Sequence, residues 1–439
     1  MSAWWPRVLR NITGMRNAVL YPMAFALALA GSGRAAALSA DDPGAPAVVA
    51  AGTLAGKIMA GYQGWFRCPG DASGLGWVHY SRSSTALRPD SLVFDMWPDV
   101  RELSREERFA APGFTHPDGS PAELFSSDHP RTVLRHFEWM RDYGIDGAWL
   151  QHFLVDLPGE ANEGRYESRR RVLDHVVAAA ERTGRVWALS FDVAGMPAER
   201  IEAALTNEWR RLVGARVPAG PRYLHERGLP VLQVWGFYHG NAHNRMTTTV
   251  GNRLADFFKR PPFAAYVVAG GDWDWRRNPD PAWRTMLERY DAYAPWNVGN
   301  YTRDAAGEVH ASMHYWREDK PACEASGRRW LPVVYPGFSW DNLQQLPPGK
   351  SLIARRGGRF LWEQFHELAN LRVDTVYVAM FDEIDEGTAV FKVTGAPPTQ
   401  AHLVGYDGRP ADWYLRLVGE AARRLHRQLP VPAEIPIQP

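Results

Sequence analysis

The sequence of 439 residues lacks an excess of charge of either sign. Lysine and arginine together number 50 and aspartate and glutamate 49, for a formal net charge of +1. A general electrostatic interaction with nucleic acid or anionic lipid is therefore excluded, because such binding needs a surplus of positive charge. The patterns GxGxxG and GxxxxGK[ST] are also absent, so a nucleotide site has no support.

Apolar runs long enough to cross a membrane are missing as well. The N-terminal run Ala18–Ala30 has about thirteen residues, whereas a spanning helix needs roughly twenty. Three arginines precede this run and the small residues Ala35–Ala37 follow it. Charged, apolar and small segments in this order are typical of a secretory signal peptide. We predict a signal peptide with its cleavage region at 1–40, and a secreted or periplasmic protein that has no membrane contact after cleavage.

Cysteine is scarce, with Cys68 and Cys323 as the only two. Neither belongs to a Cys-x-x-Cys motif, which argues against a structural zinc site. An exported chain with two cysteines can form one disulfide, but a core of this size does not require it. Pairing and two unrelated buried thiols both remain open.

Aromatic and turn-forming residues are abundant instead. Phe, Trp and Tyr make up 12% of the chain, with 19 tryptophans, and there are 39 glycines and 33 prolines. This composition predicts many turns and shaped loops rather than long helical arrays.

Apolar, β-rich runs alternate with segments of helical periodicity after a linker at 41–54. Most runs are continuous, as expected of parallel strands that are buried on both faces. The predicted strands are Lys57–Phe66, Ala148–Phe153, Val186–Val193, Leu229–Phe237, Ala264–Gly270, Ala292–Val298, Leu331–Phe338 and Thr375–Glu383. The predicted helices are Pro130–Tyr143, Glu167–Thr183, Ala198–Val213, Val250–Lys259, Pro281–Tyr290, Ala305–Glu318, Arg359–Leu371 and Trp413–Gln428.

Eight strands with helices between them predict an α/β fold, a single (β/α)₈ TIM barrel over 55–430 with a Pro-rich tail at 431–439. A doubly wound sheet competes, but it would favour a Gly-rich phosphate loop after the first strand. The stretch 67–131 is long for a connection between a strand and a helix. We expect it to lie over the carboxyl ends of the strands, where barrel active sites are found.

Four acids occupy five positions at the end of the last predicted strand: Asp382, Glu383, Asp385 and Glu386. Burying acids without partners is costly, so such a cluster indicates a function rather than a surface patch. Two neighbouring carboxylates suit glycoside hydrolysis, because like charges raise one pKa and leave a protonated acid beside an ionised partner. Calcium binding is the rival use of clustered carboxylates, although the EF-hand order is absent.

Aromatic and short polar side chains recur at the other strand ends and in the long first loop. A sugar offers an apolar face ringed by hydroxyls, so its site needs flat aromatic platforms beside polar groups. The predicted substrate-binding residues are Tyr62, Trp65, Trp77, His79, Asp95, Trp97, Gln151, His152, Asp192, Trp235, Tyr238, Asp272, Trp273, Tyr335, Trp340, Asp382 and Asp385.

Four segments together resemble a known enzyme family. The segment Glu383-x-x-Glu386-Gly387-Thr388 is similar to the Glu-Trp-His-Glu-Gly-Thr motif of the endo-α-mannosidases, glycoside hydrolase family 99, and of the broader 71/99-like group. The segments that agree in order are Trp77-Val78-His79-Tyr80, Phe125-Ser126-Ser127-Asp128 with His136, and Tyr143-Gly144-Ile145-Asp146-Gly147. The resemblance spans roughly residues 55–395. Ile384 and Asp385 stand where the family has Trp and His, which changes the subsite beside the acids.

The resemblance implies a retaining glycosidase with a (β/α)₈ fold and no required cofactor or metal. Glu386 would be the general acid and then the general base, and Glu383 would activate the sugar's 2-hydroxyl as an internal nucleophile. A double displacement with Glu383 itself as the nucleophile remains open. Tyr62 and Tyr335 would hydrogen-bond the catalytic carboxylates.

The predicted partner is a polysaccharide or glycan, hydrolysed by a monomeric enzyme. Two other interpretations are a carbohydrate-binding barrel without catalysis and a metal-dependent hydrolase in which the acids converge with Asp192 or Asp272 on one ion. A glycosidase requires both glutamates to face one open cleft, which distinguishes it from the binding barrel. The metal-dependent hydrolase requires the acids to converge on one ion.

Overall fold

The computed structural model describes residues 48–158 and 163–439. The predicted signal peptide at 1–40 and the first part of the predicted linker, 41–47, lie outside the described residues. Among the helices of the described part, none combines the length and apolar character that crossing a membrane demands.

Eight parallel strands form the barrel that the sequence predicted. They are β1 (Ile58–Tyr62), β2 (Gly147–Phe153), β3 (Val186–Asp192), β4 (Leu229–Phe237), β5 (Tyr266–Gly271), β6 (Ala292–Pro295), β7 (Arg329–Trp330 with Val333–Val334) and β8 (Val376–Val378). Each strand is parallel to the next, and β8 pairs with β1. The chain therefore closes on itself and leaves the barrel without an open edge.

Strand β7 consists of two short halves with different partners. Arg329–Trp330 pairs with β6 and Val333–Val334 pairs with β8. Pro332 lies between the halves and has no N–H to donate, but its carbonyl accepts a hydrogen bond from Tyr377 N at 2.9 Å. Both halves of β7 are therefore needed to close the barrel between β6 and β8.

The helices that follow the strands are α1 (Pro130–Asp142), α2 (Glu163–Thr183), α3 (Ala198–Gly214), α4 (Thr248–Phe258), α5 (Pro281–Leu287), α6 (Trp316–Ala325), α7 (Arg359–Asn370) and α8 (Trp413–His426). The prediction of a helix over 305–318 was wrong. A hairpin of Tyr301–Arg303 and Val309–Ala311 occupies the first half of that segment, and α6 begins only at Trp316. Asp304 Oδ1 accepts hydrogen bonds from two backbone amides in the turn, and Gly307 has a φ of +83°. These turn bonds override the apparent helical periodicity.

Alternate strand residues divide the core into two sets. One set faces the barrel interior and the other packs against the helices, because successive strand side chains point to opposite faces. The interior set includes Met59, Trp149, Ala188, Val231, Val268, Ala294 and Tyr377. The outer set includes Ala60, Leu150, Leu189, Val234, Ala269 and Val378.

The long loop between β1 and α1 covers the carboxyl end of the barrel, as predicted. Asp95 N donates to Ile384 O at 3.0 Å and Asp99 N donates to Lys392 O at 2.9 Å, so the loop is tied to the chain that leaves β8. A hairpin of Arg108–Thr115 and Pro121–Phe125 completes this loop. Cys68 and Cys323 are buried free thiols, which decides between the two interpretations of the cysteines.

Candidate active site

The acidic cluster lies where β8 ends beside β1. Phe381 N donates to Gly61 O at 2.7 Å, which extends the pairing of the two strands. The Asp382 carboxylate then accepts Gln63 N at 2.7 Å and Gly64 N at 2.9 Å. Both oxygens of the Asp382 carboxylate therefore join the two strand ends, and the side chain is buried. Burial raises its pKa to about 6 despite these two donors.

Gly387 turns the chain after the acids. Its φ is +63°, a left-handed conformation that favours glycine, and a Cβ at this position would lie 2.6 Å from Ser339 N. Arg355 Nη2 holds the turn by donating to Gly387 O at 2.7 Å and to Ala389 O at 2.8 Å. The turn keeps Glu386 near Glu383 at the barrel mouth.

Glu383 is buried and has two hydrogen-bond donors. Gln63 Nε2 donates to Oε1 at 2.6 Å, and Thr388 Oγ1 lies 2.8 Å from Oε2. Donors of this kind stabilise the ionised carboxylate. Burial and then the charge of Glu386 act in the opposite direction and raise the pKa of Glu383 well above its usual value.

Glu386 differs from Glu383 both in its exposure to solvent and in its hydrogen-bond partners. Its side chain is partly exposed, and among the described residues its carboxylate has no hydrogen-bond or ion-pair partner. Burial raises the pKa of Glu386 to about 7. The donors Gln63 and Thr388 favour ionised Glu383, and so they favour Glu386 as the site of a proton that the pair shares. The pair thus presents an acid that is open to solvent beside a base that is held in place.

His79 of the first loop contacts the acidic cluster through Asp385. Its Nδ1 lies 2.9 Å from Asp385 Oδ2, and its ring stacks on Trp65 with the centroids 3.8 Å apart. Burial and then the charges of nearby arginines lower the pKa of His79, so the imidazole is neutral at pH 7. Asp385 Oδ1 is buried and has no hydrogen-bond partner among the described residues.

Further carboxylates enter the mouth from β3 and from the end of β5. The Asp192 carboxylate accepts Ala194 N at 2.7 Å, and Asp272 Oδ2 accepts His239 N at 2.9 Å. Burial raises the pKa of Asp192 to about 7, and the charge of Glu386 adds to the shift. Burial raises the pKa of Asp272 to about 6. Tyr238 lies among these groups, since the charges of Asp272, Asp192 and Glu386 all raise its pKa.

Aromatic rings line the interior below these acids. Trp296 lies 5.7 Å from Trp235 and 5.6 Å from Tyr377 between ring centroids, and Tyr377 Oη accepts Gln151 Nε2 at 2.9 Å. Trp235 and Trp296 are both partly exposed. The mouth therefore combines flat apolar surfaces with hydrogen-bonding groups, which is what a sugar ring requires.

Gly236 produces a bulge in β4 beside these rings. The register with β5 shifts between Trp235 and Phe237 at this point. The φ of Gly236 is +122°, and a Cβ there would lie 2.3 Å from Val193 Cγ2. A bulge re-aims the side chains that follow it, and here it directs Tyr238 toward the mouth.

Five residues of the site were missed in the sequence, and one of them, Thr388, was noted only as part of the motif although it bonds Glu383. Gln63 donates a hydrogen bond to Glu383, and Tyr377 accepts one from Gln151. Trp296 and Gln233 line the barrel interior. Strand parity was the available signal for Gln233 and Trp296, because both share the interior face with the predicted Trp235 and Asp272. Gln63 and Tyr377 carried no such signal.

Several predicted substrate-binding residues lie elsewhere, and their assignments are corrected. The Tyr62 hydroxyl is hydrogen-bonded with His136 Nδ1 at 2.9 Å and Tyr335 donates to Asn300 O at 2.6 Å, so neither hydroxyl reaches Glu383 or Glu386, the predicted catalytic residues. His152 lies on the outer face of β2, where Nε2 contacts Glu208 Oε1 of α3 at 3.1 Å. Since Gln151 faces the interior, its neighbour His152 must face the helices.

Three more corrections concern the first loop. Asp95 is fully buried and anchors the segment after β7 by accepting Asp341 N at 2.8 Å, Asn342 N at 2.9 Å and the Ser339 hydroxyl. Trp97 is buried and donates to Glu123 O at 3.1 Å. Trp77 is buried against Tyr80. These residues build the loop that covers the mouth and do not line it.

Two predicted tryptophans lie on loops at the rim. Trp273 is partly exposed and packs with its ring centroid 4.8 Å from that of Tyr315. Trp340 is also partly exposed, 5.0 Å from Phe338 between centroids. Both are available to a ligand larger than one sugar.

The mouth carboxylates do not converge on one point. Within residues 48–158 and 163–439, one group of three metal-binding side chains has its ligand atoms within 4.8 Å of one another: Asp304, Glu308 and His310. That group lies on the hairpin after β6, where two of its members are exposed. Asp192 and Asp272 therefore do not form a three-ligand site with Glu386, as the metal-dependent interpretation requires.

Comparison with known proteins finds similarity in structure only. No protein-family model and no curated protein sequence matches the chain. A structure of the GH99 endo-α-mannosidase from Bacteroides thetaiotaomicron superposes with a TM-score of 0.63 at 12% identity, covering 86% of this chain and 99% of that one. A second structure of that endo-α-mannosidase, in complex with bis-tris-propane, gives a TM-score of 0.60 at 12% identity and covers 85% and 98% of the two chains. The chain thus shares the (β/α)₈ fold of the endo-α-mannosidase structures over most of its length.

Proposed function

We propose that the protein is an exported, retaining glycoside hydrolase in which Glu386 is the acid/base and Glu383 the partner base or nucleophile. The observation that carries the proposal is the contrast between the two carboxylates. Glu383 is held by Gln63 and Thr388, whereas Glu386 is partly exposed with a pKa near 7. Two carboxylates whose surroundings separate their roles are what glycosidic cleavage needs.

The proposed reaction begins with protonation of the glycosidic oxygen by Glu386 as the bond from that oxygen to the anomeric carbon breaks. Electrons reach the anomeric carbon either from the Glu383 carboxylate or from the sugar's 2-hydroxyl, whose proton Glu383 takes. Glu386 then removes a proton from water, and the water oxygen bonds to the anomeric carbon with net retention as the bond from that carbon to Glu383 or to the sugar's O2 breaks. In the second route Glu383 returns its proton to O2. Water adds across one glycosidic bond, and both glutamates return to their starting states.

Other features support this proposal. The barrel is similar to that of structures named as endo-α-mannosidases, and the pair lies at the carboxyl end of β8, where barrel enzymes place their chemistry. Trp235 and Trp296 supply apolar surface beside the pair. Export is supported by the arginine-rich and apolar order of residues 1–40. Specificity for α-mannan is not part of the proposal, because Ile384 and Asp385 replace the family's Trp and His.

The test is hydrolysis of a panel of α-mannans, α-glucans, arabinans and xylans by the purified mature chain, with the product anomer followed by NMR. Glu386→Gln is expected to lose about 10²- to 10⁴-fold in kcat on a natural glycan, the usual contribution of general acid catalysis. An aryl glycoside whose leaving group needs no proton should recover the first step in Glu386→Gln but not in Glu383→Gln.

The matched control is Glu324→Gln on the surface of α6, where the carboxylate is 57% exposed. Full hydrolysis by Glu386→Gln would overturn the assignment of the acid. Release of the inverted anomer would overturn the retaining mechanism. Binding of glycans without hydrolysis by the wild type would favour the carbohydrate-binding barrel.

A further inference from the structure

Three carboxylates at the barrel mouth lack a basic partner. Asp192 and Asp272 receive one backbone N–H each, Glu386 receives none, and no lysine or arginine of the described residues forms a salt bridge with any of the three. Elsewhere in the mouth the arginines are compensated: Arg169 pairs with Asp156 at 3.0 Å and Arg171 pairs with Asp128 at 2.5 Å. The charge of Arg169 also lowers the pKa of Asp192, but Arg169 does not form a salt bridge with it, so the described residues offer Asp192 and Asp272 no basic ion-pair partner.

The strand register places Asp192 and Asp272 on either side of Trp235. Asp192 pairs with Trp235 on β4, and Trp235 pairs with Gly270 on β5, two residues before Asp272. Tyr238 packs against Trp235, with the ring centroids 5.2 Å apart. Because the three carboxylates do not converge as one metal-binding set, the arrangement suits an extended ligand with one positive charge better than a bare divalent ion.

Unsatisfied donors below the acids provide a second, independent observation. Gln233 is fully buried on β4, its Oε1 accepts Ser190 Oγ at 2.9 Å, and its Nε2 has no partner among the described residues. That Nε2 lies 2.9 Å from the position a Cβ of Gly270 would take, so it points into the interior beside β5. The indole N–H of Trp235 is also buried without a partner in the described part of the chain. Buried donors without partners indicate an oxygen acceptor, as a sugar hydroxyl provides.

We infer that the substrate of the proposed glycosidase contains a sugar with a free, protonated amino group, which binds at Asp192 and Asp272 beside the acid Glu386. Its ammonium group supplies the ion-pair partner that Asp192 and Asp272 lack. Its hydroxyls accept hydrogen bonds from Gln233 and Trp235, and its apolar face lies on Trp235 and Trp296. This inference rests on the proposed function and adds the class of substrate.

The experiment uses glycans in matched pairs that differ in one substituent, a charged amine or the neutral and larger acetamide, and the salt dependence isolates the effect of charge. Polymers of glucosamine and galactosamine, in α and β linkage, are assayed as free amines and after chemical N-acetylation, beside the neutral panel. We expect kcat/KM on one amine polymer to exceed that on its N-acetylated form by about tenfold to a hundredfold, as for a hydrogen bond to a charged group. The KM for the amine polymer should rise with NaCl, because salt screens the attraction, while that for neutral glycans should not.

Variants separate recognition from folding. Asp192→Asn and Asp272→Asn should each lower the ratio of kcat/KM on the amine polymer to kcat/KM on its N-acetylated form, whereas Asp90→Asn, whose carboxylate is 75% exposed, should leave the ratio unchanged. Preference for N-acetylated or neutral glycans would overturn the inference and leave the proposed function intact. Absence of hydrolysis on every glycan would overturn both.

Discussion

Thr388→Val tests whether the surroundings of Glu383 determine its protonation. Thr388 is fully buried, and its Oγ1 lies 2.8 Å from Glu383 Oε2. Valine keeps the branched shape of the side chain and removes the hydroxyl. Gln63 Nε2 remains as the other donor, 2.6 Å from Oε1. The substitution therefore removes one of the two side-chain hydrogen bonds that favour the ionised form.

The magnitude follows from the energy of that bond. A hydrogen bond to a charged group contributes about 1.5–3 kcal/mol, and one pKa unit corresponds to about 1.4 kcal/mol. Losing the bond should raise the pKa of Glu383 by about one to two units. Because the proposed reaction needs ionised Glu383 and protonated Glu386, the acid limb of the pH profile should move upward by this amount. The alkaline limb, set by Glu386 near pH 7, should stay in place, so the bell narrows and its maximum falls.

The assay is the pH dependence of kcat/KM on a hydrolysed aryl glycoside, which reports the free enzyme. Thr183→Val is the matched control, because Thr183 is also a buried threonine whose hydroxyl donates, to Ala179 O at 2.8 Å, but it ends α2 away from the mouth. A Thr388→Val acid limb that coincides with that of the wild type, in a protein with normal thermal stability, would refute the role of Thr388.

Three further predictions concern stability, binding and the thiols. Glu386→Gln should raise the free energy of unfolding at pH 8 by on the order of 3 kcal/mol. The pKa of Glu386 is about 7 in the folded state and 4.5 ordinarily, so the wild type loses stability as the pH rises from 4.5 to 7, and glutamine avoids this loss. Thermal melts at pH 8 and pH 4 check the sign, since the difference should vanish at pH 4, where the carboxyl is protonated in both states. Trp296→Ala should lower kcat/KM by about tenfold, mainly through KM, because a sugar loses its apolar platform; an unchanged KM would remove Trp296 from the site. Cys68 and Cys323 are buried and burial raises both thiol pKa values, so a thiol reagent should find none in the native protein and two after unfolding without reductant; none after unfolding would indicate a disulfide.

The barrel itself was predictable because its strands are buried on both faces. Continuous apolar runs appear in a sequence whatever the tertiary partners are. Seven of the eight predicted runs contain the observed strand or most of its residues, and the run Leu331–Phe338 contains the second half of β7. The acidic cluster was recognisable for a related reason: acids that continue an apolar strand stand out against it. The predicted helix at 305–318 failed because a turn held by Asp304 is decided by side-chain hydrogen bonds that periodicity does not reveal.

Aromatic residues show where prediction from the sequence ends. Trp97 and Trp296 both follow an apolar run, yet Trp97 is buried in the first loop and Trp296 is partly exposed at the mouth. Composition carries no information about which ring faces the core and which faces a ligand. The alternation of side chains along a strand carries some of this information. It would have predicted that Gln151 and His152 face opposite sides of β2.

The sequence by itself determined the alternation of strands and helices, the position of the acids after the last strand, and the long first loop. All three depend on local order along the chain. Only the tertiary structure decided that Gln63 and Thr388 hold Glu383 while Glu386 stays open, and that Asp192 and Asp272 join them at one rim. These relations join residues up to 320 positions apart, and closure of the barrel alone brings them within hydrogen-bonding distance.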